Sequence, residues 1–269
     1  MMAWEVYCSE GTPYFVTWHG SDIHTHPFRN HLQMHQTGLI MQNARCNFFV
    51  SRALSEASVR ICDDASIVRE VLYNGVSEDF VRYSDEVRAG LRHTMGVGEN
   101  AKVVTFAGNL SQVKNVRVLA PVFKAVRAGY EGDLQFWIIG DGKLRAAVEA
   151  DFAEASLDCV RFWGNMPSSD MPEMMNCTDL LVLPSLNEGL PLVCLEAISC
   201  GANAVGSAAG GIAEVVGVKN AVPLGEDFIE TFTQKILQML RHPENQSVPA
   251  GMSWEMASSI EVDHILSLN

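Results

Sequence analysis

The sequence is short of positive charge. Nineteen Lys and Arg stand against 32 Asp and Glu, for a formal net charge of -13. A surface that follows a nucleic-acid backbone needs a basic face, so nucleic acid is excluded as an extended partner, though a single nucleotide in a local pocket is not. Paired cysteines are also lacking. The seven (Cys8, Cys46, Cys62, Cys159, Cys177, Cys194, Cys200) are odd in number, scattered and without a CxxC spacing. That pattern predicts reduced thiols in a cytoplasmic protein, with no disulfide framework. No apolar run approaches the ~20 residues that span a bilayer. The opening MMAWEVYCSE has neither the basic stretch nor the apolar core of a signal peptide, and peripheral contact with a membrane stays open. Low-complexity tracts and internal repeats are absent too. What remains is 269 residues, 48% hydrophobic and 19% charged: a globular chain, long enough for one large domain or two small ones with a sizeable core.

One stretch organises the rest, residues 179–201, DLLVLPSLNEGLPLVCLEAISCG. Leu180, Leu181, Val182 and Leu183 form the continuous apolar run of a parallel strand buried on both faces. Pro184 and Ser185 end it, and Asn187, Glu188 and Gly189 make a turn. Pro191 suits the first position of a helix, Leu192, Val193, Leu195 and Ile198 give that helix an apolar side, and Gly201 fits its C-terminal end. In open α/β sheets ligands bind outside the carboxyl ends of strands, and the N–H groups of a helix start attract phosphate. The stretch also carries two carboxylates, Glu188 and Glu196. With a rise of ~1.5 Å per helical residue they fall roughly 10 Å apart. Retaining glycosidases hold their pair at about 5 Å, so this spacing suits instead two acceptors for sugar hydroxyls. In isolation such a pair reads as a solvated loop Glu and a helix-surface Glu.

The flanking chain alternates strands and helices. Residues 14–18 (YFVTW) read as a strand, with His19, Gly20, Ser21 and Asp22 in the loop at its carboxyl end. His19, His24, His26, His31 and His35 lie close in sequence. Without HExxH, or Cys or carboxylate partners at ligand spacing, they read as a polar loop and a helix with solvated imidazoles rather than a metal site. Residues 47–50 and 67–72 read as strands, Ser51 as a helix cap, Asn74-Gly75 as a turn, and 79–98 as a linker with a leading helix. A second domain opens at Lys102, with a strand at 103–107. Gly108 then turns the chain, Lys114 and Asn115 precede a helix, and Lys114 is placed to reach a diphosphate or to be an ordinary surface lysine. Strand 134–139, the turn Gly140-Asp141-Gly142, helix 143–155, strand 160–163, helix 172–177 and strand 202–205 follow. Gly210-Gly211 lets backbone N–H groups approach an anion. Helix 228–241 stops at His242-Pro243, and Ser253 opens a last helix. The repeated βα pattern over 100–245 predicts a doubly wound parallel sheet.

The EGLP turn, the second Glu followed by Ala and the preceding D-x4-PS strand resemble the E-x7-E motif of retaining glycosyltransferases of the GT-B fold, family 4, the glycosyl transferases group 1. TWHGSD resembles the acceptor-domain loop of that family, GDG and the turn at Asn74-Gly75-Val76 have counterparts there, and SAAGGIAE resembles its GG-x-x-E loop. The resemblance runs from about Tyr14 to Leu266. It implies an α/β, GT-B-type fold: a partial acceptor-side domain at 1–84, a nucleotide-sugar domain at 85–250, and a helix at 251–269 packing back on the first part. It implies a hexose transferred with retention from a UDP-, GDP- or ADP-sugar to a glycan, lipid or small hydroxyl acceptor, with no cofactor and no metal. Glu196 would bind the ribose and Glu188 the sugar. The Gly189 and Leu190 N–H groups, Lys114 and the Gly210-Gly211 loop would hold the diphosphate, with Pro191, Gly108 and Asn109 beside them. His19 would orient the sugar, and Asp22 and Glu214 are further candidates.

Two departures matter. The family pattern G-R-x(4)-K has Asn109 where the Arg stands, and a charge-assisted bond to phosphate is worth roughly 1.5–3 kcal/mol. The first βα units and the Gly-rich loop of the acceptor domain are missing before the HGSD segment. The half-domain therefore packs in an altered way, is covered by a second copy or a partner chain, or belongs to a longer product. The alternative function is a non-catalytic nucleotide-sugar-binding domain or partner subunit. A sugar-phosphate isomerase-like protein of similar architecture is the weaker third, since fold does not fix function.

Overall fold

The computed structural model describes residues 2–267. The chain begins with α1 (Met2–Glu10), β1 (Phe15–Trp18), α2 (Ser21–His24), α3 (His31–Asn43), β2 (Cys46–Phe49), α4 (Arg52–Ser58) and β3 (Arg69–Val71). It continues with α5 (Asp85–Thr94), β4 (Lys102–Ala107), α6 (Leu119–Gly129), β5 (Leu134–Ile139), α7 (Arg145–Ala155), β6 (Val160–Gly164), α8 (Met171–Cys177) and β7 (Leu180–Leu183). The last elements are α9 (Leu192–Ser199), β8 (Asn203–Ser207), α10 (Ile212–Val216), β9 (Ala221–Val222), α11 (Phe228–Arg241) and α12 (Trp254–Leu266). They form two units: Met1–Gly75, Glu188–Leu190 and Ala250–Asn269 in the first, Val76–Asn187 and Pro191–Pro249 in the second.

The first unit is built on a three-stranded parallel sheet, β1-β2-β3. Phe48, Phe49 and Val50 are buried, as are Ile23, Met41 and Leu54 from the helices. Asn47 is fully buried, a placement that needs hydrogen bonds. It has them: its carbonyl accepts from the Trp18 indole at 3.0 Å and its amide donates to the Met41 carbonyl at 3.0 Å. Ser51 caps α4 by accepting from the Leu54 N–H, and Ser253 caps α12 by accepting from Met256. The other sheet face is covered by α12, whose Ala257 and Ile260 pack with Cys46, Phe48, Leu72 and Phe15. Gly75 sits against the start of that helix, where a Cβ would lie 2.1 Å from the Trp254 nitrogen.

The second unit holds six parallel strands in the order β6-β5-β4-β7-β8-β9. The chain winds outward from β4 through β5 and β6, then returns to the other side of β4 and winds outward again through β7, β8 and β9. Parallel crossovers keep one hand, so the two halves place their helices on opposite faces. Accordingly α6 packs with α7 and α11, whereas α8 packs with α5 and α9, and α9 with α10. This is the doubly wound sheet that the βα alternation predicts. Its core is fully buried at Val103, Val104, Phe106, Phe136, Trp137, Leu181 and Val182, with Phe123 stacked on Phe136 at 4.3 Å.

The boundary expected after residue 84 falls inside this second unit, which begins at Val76. The physical reason is Asn176, fully buried, which accepts from the Tyr83 N–H at 2.8 Å and donates to the Val81 carbonyl at 2.9 Å. Residues 76–84 are thereby tied to α8. At the amino ends of the strands, Asp179 accepts from Val103 N–H (2.9 Å), Arg92 (3.0 Å) and Lys102 (3.2 Å). Arg92 also donates to the carbonyls of Cys177, at 2.7 Å, and Ala101. The Arg92 and Asp179 side chains keep 14% and 20% of their exposure. Removing Arg92 would leave Asp179, among the described residues, with Lys102 alone as its paired cation and would strip the Cys177 and Ala101 carbonyls of a charged donor. We predict that Arg92→Ala lowers stability by about 3 kcal/mol in urea unfolding; a loss below about 1 kcal/mol would show that the α5 anchor is dispensable.

Candidate functional site

The reversal of winding lies between β4 and β7, and in such sheets ligands bind at the carboxyl edge of the reversal. Two loops of the second unit meet there: the Leu186 N–H donates to the Val113 carbonyl at 2.7 Å, and the Ser207 hydroxyl donates to the Ser185 carbonyl. The strand ends are laced by backbone. Gly108 N–H donates to Ile139 O at 2.9 Å, and Gly140 N–H to Gly164 O at 2.7 Å. Gly108 has φ +152° and Gly140 φ +120°. A Cβ on Gly140 would sit 2.1 Å from the Gly108 carbonyl oxygen. Glycine is therefore required at Gly140 both for conformation and for space.

Lys114 is brought back over this edge, its Cε 3.6 Å from where a Gly108 Cβ would stand. Asn109 is exposed and lies against the GDG turn, its Oδ1 2.5 Å from a Cβ built on Gly142. Arg145, at the start of α7, pairs with Asp141 (3.4 Å) and Glu149 (2.8 Å). Pro191 departs from its expected position: it is the N-cap of α9, with extended backbone, and Leu192 is the first helical residue. Pro191 offers no side-chain cap to α9, and the Cys194 N–H donates to the Pro191 carbonyl at 3.0 Å. Glu196 lies one turn further on. It is half-buried, its carboxyl receives no hydrogen bond from the described residues, and burial pushes that carboxyl above the usual value. Gly210 adopts φ +56° and Gly211 precedes the five-residue α10 that bears Glu214.

In the first unit, His19 is exposed at the end of β1. Asp22 works locally. Its carboxylate accepts from the His19 N–H at 3.0 Å and the Gly20 N–H at 2.7 Å, and so shapes the HGSD loop. The segment Glu188–Leu190 belongs to this unit because Gly189 packs on that loop. A Cβ there would lie 1.8 Å from the His19 carbonyl oxygen, so no other residue fits. Glu188 itself is half-buried and Leu190 nearly buried. Thus His19 and the Glu188 turn, 169 positions apart in the sequence, are neighbours. Among the other histidines, His31 and His35 are exposed on α3, and burial lowers the pKa of His24. The close approaches at Gly140 and Gly189 were not derivable from spacing; the GDG and EGLP motifs were their only signal.

Residues 101–242 match the family model of the glycosyl transferases group 1. The chain belongs to that family. An uncharacterized glycosyltransferase of Methanocaldococcus jannaschii is 23% identical over 244 residues, which cover 86% of this chain and 60% of that protein. The 2-deoxystreptamine glucosyltransferase of Streptomyces kanamyceticus is 29% identical over 175 residues, 63% of this chain and 44% of its own length. The chain thus spans between two fifths and two thirds of these relatives. Among solved structures, Anabaena HepE in complex with UDP and glucose matches with TM-score 0.76 at 20% identity, over 98% of this chain and 74% of that one. Sucrose-phosphate synthase of Thermosynechococcus elongatus matches with TM-score 0.80 at 18% identity, over 99% and 71%. The fold of this group 1 chain is the α/β fold, with parallel sheets, of GT-B glycosyltransferases. No described helix is long and apolar enough to cross a membrane.

The burial of Glu196 gives a signed expectation. Its folded-state pKa is raised above the unfolded value, so its contribution to stability is full below the unfolded pKa and is lost as pH rises through the folded one. Glu196→Gln should therefore raise the melting temperature of the ligand-free protein at pH 7, with the gain vanishing as the pH falls below about 4. A gain independent of pH, or a loss at pH 7, would contradict the placement of this carboxyl.

Proposed function

We propose that this chain carries the donor machinery of a retaining glycosyltransferase that moves a hexose from a nucleoside-diphosphate sugar to a hydroxyl of a glycan, lipid or small molecule. The observation that carries the reading is Glu196, half-buried on α9, the helix that follows β7 at the carboxyl edge of the winding reversal in the second unit. Membership of the glycosyl transferases group 1 supports it, as does the likeness to HepE, a structure that holds UDP and glucose.

Each residue then has a role. Glu196, half-buried and with its carboxyl unpaired among the described residues, accepts from the ribose hydroxyls, which relieves its desolvation. Glu188 accepts from hydroxyls of the transferred sugar, and His19 orients that sugar. Lys114, the N–H groups of Gly189 and Leu190, and the Gly210-Gly211 backbone hold the diphosphate. In the reaction the bond from the anomeric carbon to the phosphate oxygen breaks, and a bond to the acceptor oxygen forms on the same face. The acceptor proton passes to the departing phosphate. Negative charge grows on the diphosphate as the bond breaks, and fixed donors and a cation placed there lower the barrier. With Asn109 neutral, Lys114 carries that charge in the β4 loop. A chain of this family that only binds nucleotide-sugar, as a partner subunit, is the other reading, and turnover separates the two.

The test is transfer from UDP-, GDP- and ADP-hexoses to a panel of hydroxyl acceptors, with the anomeric configuration of the product read by proton NMR. Transfer with retention is expected. Lys114→Ala and Glu188→Ala should each lower turnover by about 10²–10³-fold. Unchanged turnover in both variants, or an inverted product, would overturn the assignment. Nucleotide binding without turnover on any acceptor would establish the binding module instead.

A further inference from the structure

Away from the donor machinery, within the first unit, three side chains of different chemistry converge under the last helix. Cys46 opens β2 and is 1% exposed. Glu70 lies in β3, in register with Phe48. Side chains alternate along a strand, so Cys46, Phe48 and Glu70 share one sheet face, the face that α12 covers. From that helix His264 reaches down, its ring set edge-on against Phe48 at 5.1 Å and Phe15 at 6.4 Å. The two phenyl rings fix the imidazole plane. Its Nε2 meets the Glu70 Oε2 at 2.8 Å, and the Cys46 Sγ, the Glu70 oxygen and the His264 nitrogen lie within 4.8 Å of one another.

We infer that Cys46, Glu70 and His264 form a binding site for a thiophilic divalent cation of the zinc class, which staples α12 to the sheet of the first unit. One sulfur, one nitrogen and one oxygen ligand are the donors that Zn²⁺ prefers, at bond lengths of about 2.0–2.3 Å. In a tetrahedron these lengths place ligands about 3.3–3.8 Å apart: the His264 nitrogen and the Glu70 oxygen, at 2.8 Å, open by roughly half an ångström, and the Cys46 sulfur, within 4.8 Å of both, closes on them by up to about one, shifts that side-chain rotation supplies. The ion takes the place of the proton between His264 and Glu70 and displaces the thiol proton of Cys46. The fourth position belongs to water, since the Glu70 and His264 side chains keep 39% and 27% of their exposure while the sulfur is shut in. The three ligands come from elements far apart in sequence, so binding couples to folding of the unit. The ion takes no part in sugar transfer.

The test needs no activity. The full chain, stripped with a chelator, is titrated with Co²⁺ and then with Zn²⁺. One equivalent of Co²⁺ should produce a thiolate-to-cobalt charge-transfer band in the near ultraviolet with visible tetrahedral bands, and Zn²⁺ should bleach both and raise the melting temperature. Cys46→Ser should abolish the charge-transfer band, and His264→Gln should weaken binding at least tenfold. A His31→Ala/His35→Ala double variant, which removes the exposed imidazoles of α3, should leave the titration unchanged. Absence of the band from the wild-type chain, or its survival in Cys46→Ser, would overturn the site. Circular dichroism of each variant separates lost ligands from lost folding, and the wild-type titration decides the question even where a variant fails to fold.

Discussion

The second unit depends on one constraint, that parallel crossovers keep a single hand. Because β4 is followed by a strand on one side and neighboured by β7 on the other, the helices after these two strands must leave toward opposite faces. The loops they carry then diverge at the carboxyl edge, where open α/β sheets take their ligands. Everything proposed for chemistry in this unit hangs on that edge: Gly108, Asn109 and Lys114 follow β4, and Glu196 follows β7 on α9. The opposite edge is given to anchoring, where Asp179 gathers Arg92, Lys102 and the Val103 N–H.

Close backbone approach shapes the same edge. At the carboxyl edge the strand ends come within hydrogen-bonding distance of one another, and only glycine leaves room, as at Gly140. The same economy operates where Gly189 meets the His19 carbonyl. Glycine at these points lets backbone pack on backbone without intervening side-chain bulk. The carboxylates have a cost: Glu196 is held half-buried with its pKa raised. A carboxylate kept under these conditions lowers the stability of the ligand-free chain at neutral pH.

The elements that sequence reading resolved well are those whose burial writes itself as an uninterrupted apolar run or a helical period. Strand β5 and helix α11 fall at the residues expected and β4 begins one residue earlier, at Lys102, because 103–107 and 134–139 are predominantly apolar runs and Phe228, Phe232, Ile236 and Met239 recur on one side of a helix. Helix α1, MAWEVYCSE, was not foreseen, since its apolar residues follow no helical period. The two-residue β9 is too short to leave a pattern. Pro191 was placed one position too far into its helix, because a proline at the N-cap and one at the first turn look alike in sequence. The local task of Asp22, accepting from two backbone N–H groups of its own loop, left no mark in the sequence. The Cys46, Glu70 and His264 cluster was invisible, for strand register and the docking of α12 bring those residues together.

The proposed activity stands or falls on the carboxyl edge of the second unit being a nucleoside-diphosphate site that Lys114 and Glu196 sustain despite Asn109. Thermal unfolding of the purified chain against UDP, GDP and ADP tests it most directly. At 100 times its dissociation constant, a ligand of the native state stabilises by ~2.7 kcal/mol. One of the three should raise the midpoint accordingly, and its identity names the donor base. A chain that melts cooperatively at the same temperature with every nucleotide would contradict the assignment of that edge.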